Sequence, residues 1–88
     1  MYTDTESNSS GHPIHITDEV RSYVLDRKQD FRVSTSCGGP ILLPTSIKPP
    51  KISDIRLHVG DYTIYISRYQ ARYLETVHRG MIPFFFDY

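Results

Sequence analysis

Gly60-Asp61 separates two alternating apolar runs, Ile55-Arg56-Leu57-His58-Val59 and Tyr62-Thr63-Ile64-Tyr65-Ile66, and nothing else in the chain constrains its fold as tightly. Glycine at the first central position suits a type II′ two-residue turn, whose twist matches that of the strands it joins. Such a turn dictates the register. Val59 faces Tyr62, Leu57 faces Ile64 and Ile55 faces Ile66, which puts all six on one side. His58 and Thr63, and Arg56 and Tyr65, pair on the other. A slip of one residue would turn the whole apolar set towards water. Turn chemistry and hydrophobic alternation thus agree on a β-hairpin over residues 54–66.

Ser67 ends that hairpin and is a good helix N-cap. With Gln70 it completes the S-x-x-Q capping box, and a cap of this kind typically contributes about 1 kcal/mol. Helical spacing gathers Ala71, Leu74, Val77 and His78 on one side and predicts a helix over 68–79. Gly80 suits the left-handed position that ends helices. The apolar segment that follows predicts a strand over 81–86, kept to a sheet edge by Pro83, which has no N–H to donate.

Upstream, Thr17 can cap a helix over 18–28. Asp18 and Glu19 stand at its positive end, Arg27 and Lys28 at its negative end, and Val20, Tyr23 and Val24 form its apolar stripe. Residues 31–36 alternate, with Phe31, Val33 and Thr35 on one side of a half-buried strand. Cys37-Gly38-Gly39-Pro40 must turn. Ile41-Leu42-Leu43 is a short strand or buried loop, and residues 44–51, with Pro44, Pro49 and Pro50, form an extended connection. Residues 1–11 bury too little to offset the entropy of ordering and are expected to be a disordered tail ahead of a single domain, 12–88. The fold class is therefore α+β: a small, mostly antiparallel sheet, made of the hairpin 54–66 and strands near 31–36 and 81–86, packed with one or two helices (18–28, 68–79).

The bulk chemistry narrows the function classes. Ten Lys and Arg balance ten Asp and Glu, so the net charge is zero, which argues against indiscriminate binding of nucleic acid. The balance is uneven along the chain: residues 1–30 hold six acids and three bases (−3), residues 31–88 seven bases and four acids (+3). No apolar run is long enough to span a bilayer, and the polar start does not resemble a signal peptide, so the expected setting is the cytoplasm with no membrane partner. A single cysteine, Cys37, cannot form a disulfide within the chain.

Four groups of residues could carry chemistry. Arg68, Arg72 and Arg79, flanked by Tyr69 and Tyr73, would form a basic face on the second helix, which Lys48, Lys51 and Arg56 could extend. Guanidinium groups bind phosphate or carboxylate, and tyrosine stacks on bases. Glu75, spaced to pair with Arg72 and Arg79, would dilute that field. Cys37 in Ser34-Thr35-Ser36-Cys37-Gly38-Gly39-Pro40 could serve as a nucleophile, but no phosphate-loop pattern is complete. A tight turn with a buried thiol is the expected state. His12 and His15 have chelating spacing without a second ligand pair, so no metal and no cofactor is expected. Phe84-Phe85-Phe86 offers an aromatic edge, with Phe85 directed away from its neighbours and available to another chain. The expected function is a small non-catalytic binding module, acting through the basic helix face or the C-terminal aromatic edge. A protein partner or self-association is favoured over nucleic acid, and a thiol-dependent enzyme or redox protein using Cys37 is the competing class.

Overall fold

The computed structural model describes residues 13–83. Its elements run β1 (His15–Ile16), α1 (Asp18–Arg27), β2 (Phe31–Ser36), β3 (Gly39–Pro44), β4 (Ile55–Val59), β5 (Tyr62–Ile66), α2 (Arg68–Ala71), β6 (Thr76–Val77) and a 3-10 turn (Arg79–Met81). Four strands form one sheet in the order β3-β2-β5-β4, and β1 pairs with β6 in a second, two-stranded sheet. The expected α+β class is borne out. No described helix is long and apolar enough to cross a membrane.

The β4–β5 hairpin has the register that its turn dictates. Ile55, Leu57 and Val59 stand opposite Ile66, Ile64 and Tyr62, and Arg56 and His58 stand opposite Tyr65 and Thr63. Gly60 has φ +60°, and Lys28 is the one described residue other than glycine at positive φ. Positive φ at the first central residue but not the second is the signature of type II′. α1 packs against this hairpin so closely that a Cβ on Gly60 would lie 2.9 Å from Leu25 Cδ2.

α1 starts at the Thr17 cap, whose hydroxyl accepts from the Val20 N–H, and stops where Lys28 turns left-handed with φ 57°. Val20 and Val24 are fully buried in a core with Phe31, Val33, Leu42, Val59, Ile64, Ile66 and Val77. Tyr23 packs on Phe31 with ring centroids 5.4 Å apart, and the Arg27 guanidinium lies 4.9 Å over the Tyr23 ring.

β2 and β3 are an antiparallel hairpin turning at Cys37-Gly38, with Ser36 opposite Gly39. Gly39 therefore belongs to a strand rather than to the turn. β2 also pairs with β5 in parallel, Phe31 with Ile64 and Arg32 with Tyr65. Asp30 fixes that junction: its carboxylate accepts from the Thr63 N–H at 2.9 Å, and its carbonyl accepts from the Thr45 N–H at 3.1 Å.

Two expected elements take other forms. The helix over 68–79 is a single turn, Arg68–Ala71. The Glu75 carbonyl, which a longer helix would offer to residue 79, accepts instead from the His15 N–H at 2.9 Å, and the Val77 carbonyl accepts from Thr17 at 3.1 Å. Pairing with β1 thus takes the backbone groups that helix needs, and Tyr73, Thr76 and Val77 are only middling helix formers. Ala71, Leu74 and Val77 are still all buried. The expected strand over 81–86 is not formed in its described part. Met81 closes the 3-10 turn onto His78, and the Ile82 N–H bonds the Arg79 carbonyl. Residues 84–86, with Phe85, lie outside the described residues, as does the tail 1–11. Gly80 does not end a helix; its conformation is ordinary, but a Cβ there would lie 2.8 Å from the His78 ring, whose Nδ1 accepts the Gly80 N–H.

Candidate functional site

β2 is longer than the neighbour it meets in parallel. Its ladder to β3 spans all six residues, Phe31 to Ser36, whereas its ladder to β5 ends at Arg32 and Tyr65. β5 finishes at Ile66, and the chain then turns into α2 at Ser67. Among the described residues, no strand pairs with the second edge of β2 from Val33 to Ser36. Strand edges of this kind carry backbone groups that can template an added strand.

The space beside this overhang is a groove in two connected parts. One, of about 240 Å³, is lined by Arg32, Val33, Ser34, Thr35, Lys48, Ser67 and Gln70. The other, of about 320 Å³, is lined by Thr35, Pro40, Ser67, Tyr69, Gln70, Tyr73 and Leu74. Thr35, Ser67 and Gln70 belong to both. The groove therefore runs from a polar end beside Lys48 to an apolar, aromatic end beside Tyr73.

The cap at Ser67 shapes the groove wall. Ser67 Oγ accepts from the Gln70 N–H at 3.1 Å, which ties the first turn of α2 down at the end of β5. That turn projects Tyr69 and Tyr73 outward, each 71% exposed. Their rings meet edge-to-face with centroids 5.5 Å apart, a geometry that the ring quadrupoles favour. Two exposed tyrosines in mutual contact form a stiff apolar ridge with polar tips.

At the polar end lies a buried ion pair. Arg32 donates through Nε to Asp54 Oδ2 at 2.6 Å and through Nη2 to Oδ1 at 3.1 Å. Both side chains are nearly sealed, at 6% and 1% exposure. Burial alone would push the Asp54 carboxyl up, but the Arg32 hydrogen bond, the Lys51 N–H and nearby positive charge outweigh it and hold the group below the ordinary carboxylate range. The hydrogen bond to Asp54 likewise raises the Arg32 guanidinium against the opposing effect of burial. A bidentate pair of this kind fixes orientation as well as charge. Lys51 and Asp54 also close a local turn, with the Lys51 N–H on Oδ2 at 3.1 Å and the Asp54 N–H on the Lys51 carbonyl at 2.9 Å. The pair thereby staples the 45–54 connection, and Lys48 with it, to β2. The pairing of Arg32 with Asp54 was not foreseen; the available signal was an arginine at a mid-strand position and an acid at the mouth of a hairpin.

The arginines expected on one helix face are dispersed. Arg68 lies in α2, Arg72 at its C-terminal boundary and Arg79 in the 3-10 turn beyond β6. Arg56 projects from edge strand β4, beside Tyr65 and on the face opposite the apolar set. The single-helix basic face is therefore corrected, because the helix that would have aligned its members ends at Ala71. Tyr69 and Tyr73 do stay together. Cys37 sits in a tight turn as expected, but its side chain is exposed rather than buried. Ser36 Oγ braces that turn, accepting from the Gly38 N–H and donating to the Gly39 carbonyl. Among the described residues, no three of His, Cys, Asp and Glu are grouped to hold a metal ion.

Comparison with protein-family models, curated proteins and solved structures finds no match for this chain.

Proposed function

We propose that the chain is a small non-catalytic protein-interaction module, with the groove between the β2 overhang and α2 as its binding surface. The observation that carries this reading is the mismatch in ladder length: β2 continues to Ser36 while its pairing with β5 ends at Arg32. An extended segment from a partner can add to such an edge and form main-chain hydrogen bonds, with side-chain pockets supplying selectivity. The exposed Tyr69 and Tyr73 ridge beside that edge supports it, since tyrosine gives large contact area at low conformational cost. The dispersal of Arg56 on β4, Arg68 and Arg72 at α2 and Arg79 in the 3-10 turn favours a protein partner over nucleic acid, which is best gripped by a continuous basic surface.

The test is comparative co-purification with the full chain. A protein retained by the wild type should be lost with Tyr73→Ala and reduced with Tyr69→Ala, both variants remaining folded by circular dichroism. Retention that neither tyrosine affects would reject this surface.

A further inference from the structure

We infer that the groove selects an extended peptide in which an acidic side chain and an aromatic side chain stand two residues apart. This rests on the reading above and names the chemistry of the partner segment. In a strand, residues two apart point to the same side and are separated by about 7 Å. β2 covers the same interval from Val33, in the part that holds Lys48, to Thr35, which borders both parts. Val33 lines only the end that holds Lys48, whereas Thr35 reaches the end that holds Pro40, Tyr73 and Leu74.

The two ends ask for different side chains. At the polar end the Arg32 guanidinium is already engaged by Asp54 through two hydrogen bonds. Lys48 supplies the cation that is not matched by a carboxylate in the lining, and Ser34, Ser67 and Gln70 line the same space with groups able to hydrogen-bond a carboxylate. No Asp or Glu lines either part of the groove. At the apolar end, Pro40, Tyr73 and Leu74 line a cavity of about 320 Å³, and an aromatic ring is a favoured partner for a tyrosine ring. Between them, the Val33–Ser36 edge can pair with the peptide backbone, as β5 does one step earlier. Charge complementarity therefore commits the groove to an acidic, aromatic strand from a partner protein.

Fluorescence anisotropy with the full chain tests this. The probe is fluorescein-Gly-Thr-Phe-Thr-Asp-Thr-Phe-Thr, which offers the same spacing in either strand direction. Saturable binding is expected, at least tenfold tighter than for the same peptide with lysine in place of its aspartate. Lys48→Glu should reverse that preference, and Tyr73→Ala should weaken both probes. Equal affinity for the two probes, or a preference that Lys48→Glu leaves unchanged, overturns the inference. So does a probe affinity that rises when Phe85→Ser or Asp87→Lys is introduced, since the groove would then belong to the chain's own Phe84–Tyr88. Concentration-dependent dimerisation abolished by Tyr73→Ala would assign it to a second copy and overturn it as well. If the probes fail while tyrosine-dependent co-purification persists, the peptide chemistry falls and the interaction surface stands.

Discussion

The hairpin Ile55–Ile66 takes its shape from one turn between two paired strands, whereas Arg68–Ile82 buries its apolar side chains by bending every few residues against the rest of the core. Within the hairpin, each β4 residue and its β5 partner lie within twelve residues of one another, and one turn sets every such pair, although β5 also meets β2 in parallel. In the later segment a helical turn, a two-residue strand and a 3-10 turn follow one another, and β6 finds its partner in β1, about sixty residues earlier. The first region is organised by local chemistry. The second is organised by what the core and β1 leave available. The groove lies beside Ser67, where the two meet: the later segment supplies one wall, and β2 with Pro40 and Lys48 supplies the other.

The largest test of this contrast concerns the tie that fastens the start of the hairpin to β2. Asp54→Ala leaves the Arg32 guanidinium buried without its partner, which typically costs 3–5 kcal/mol, roughly. Domains of this size are commonly stable by about 5–15 kcal/mol, so the urea midpoint should fall sharply. Exchanging both partners, Arg32→Met with Asp54→Ala, should recover most of the loss, because no buried charge is left over. The same pair sets a pH dependence. The folded-state carboxyl lies below its ordinary value of 3.8, so the unfolded chain binds the proton first as pH falls. The contribution is full above about pH 5 and is lost as pH drops through 3.8 and below. A wild-type stability curve that stays flat from pH 5 to pH 2, or one matched by Asp54→Ala, would remove the pair from this role.

Next in size is the turn. Gly60→Ala forces a side chain into positive φ, which costs an L-residue about 1–2 kcal/mol, and places its Cβ 2.9 Å from Leu25 Cδ2. A loss of about 1–3 kcal/mol is expected in denaturant unfolding. In a Leu25→Ala background the added cost of Gly60→Ala should shrink to the backbone part. If the cost is unchanged there, the close approach of α1 is not felt. If Gly60→Ala costs nothing, the hairpin is held by its sheet neighbours rather than by its own turn, and the contrast between the regions collapses.

The same contrast explains what was legible in the sequence. The hairpin register could be read because its two signals, Gly60-Asp61 and the period-two alternation, lie in one window. α1 could be read for the same reason, from Thr17 to Lys28. The parallel pairing of Phe31 with Ile64 leaves no local trace, so the sheet order was hidden. Ala71, Leu74 and Val77 have helical spacing and are buried as that spacing implies, yet a segment can bury every third residue without remaining helical. What ended the helix was the claim of His15 and Thr17 on the Glu75 and Val77 carbonyls, and two-residue strands such as β1 are too short to announce themselves. The groove was hidden more deeply. It comes from β5 stopping short of β2, a relation between two strands that neither shows alone. Tyr69 and Tyr73 were singled out correctly as neighbours, but Thr35, Pro40 and Lys48 join their groove only through the tertiary arrangement.

The smallest expected effect falls on the residue where the two regions join. Ser67→Ala removes the acceptor of the Gln70 N–H, and caps of this kind contribute about 0.5–2 kcal/mol. The lower half of that range is expected, because α2 is only one turn long and has little helix to stabilise. The informative reading is a local one. Hydrogen exchange at the Gln70 and Ala71 amides should quicken by more than the loss in global stability requires, while amides within the β4–β5 hairpin should change only by the global amount. Because Gln70, Tyr69 and Tyr73 ride on that turn, affinity for the aspartate probe should fall as well, without reversing its preference over the lysine probe. Should the hairpin amides quicken as much as those of α2, Ser67 is not a boundary. The two regions would then open as one unit.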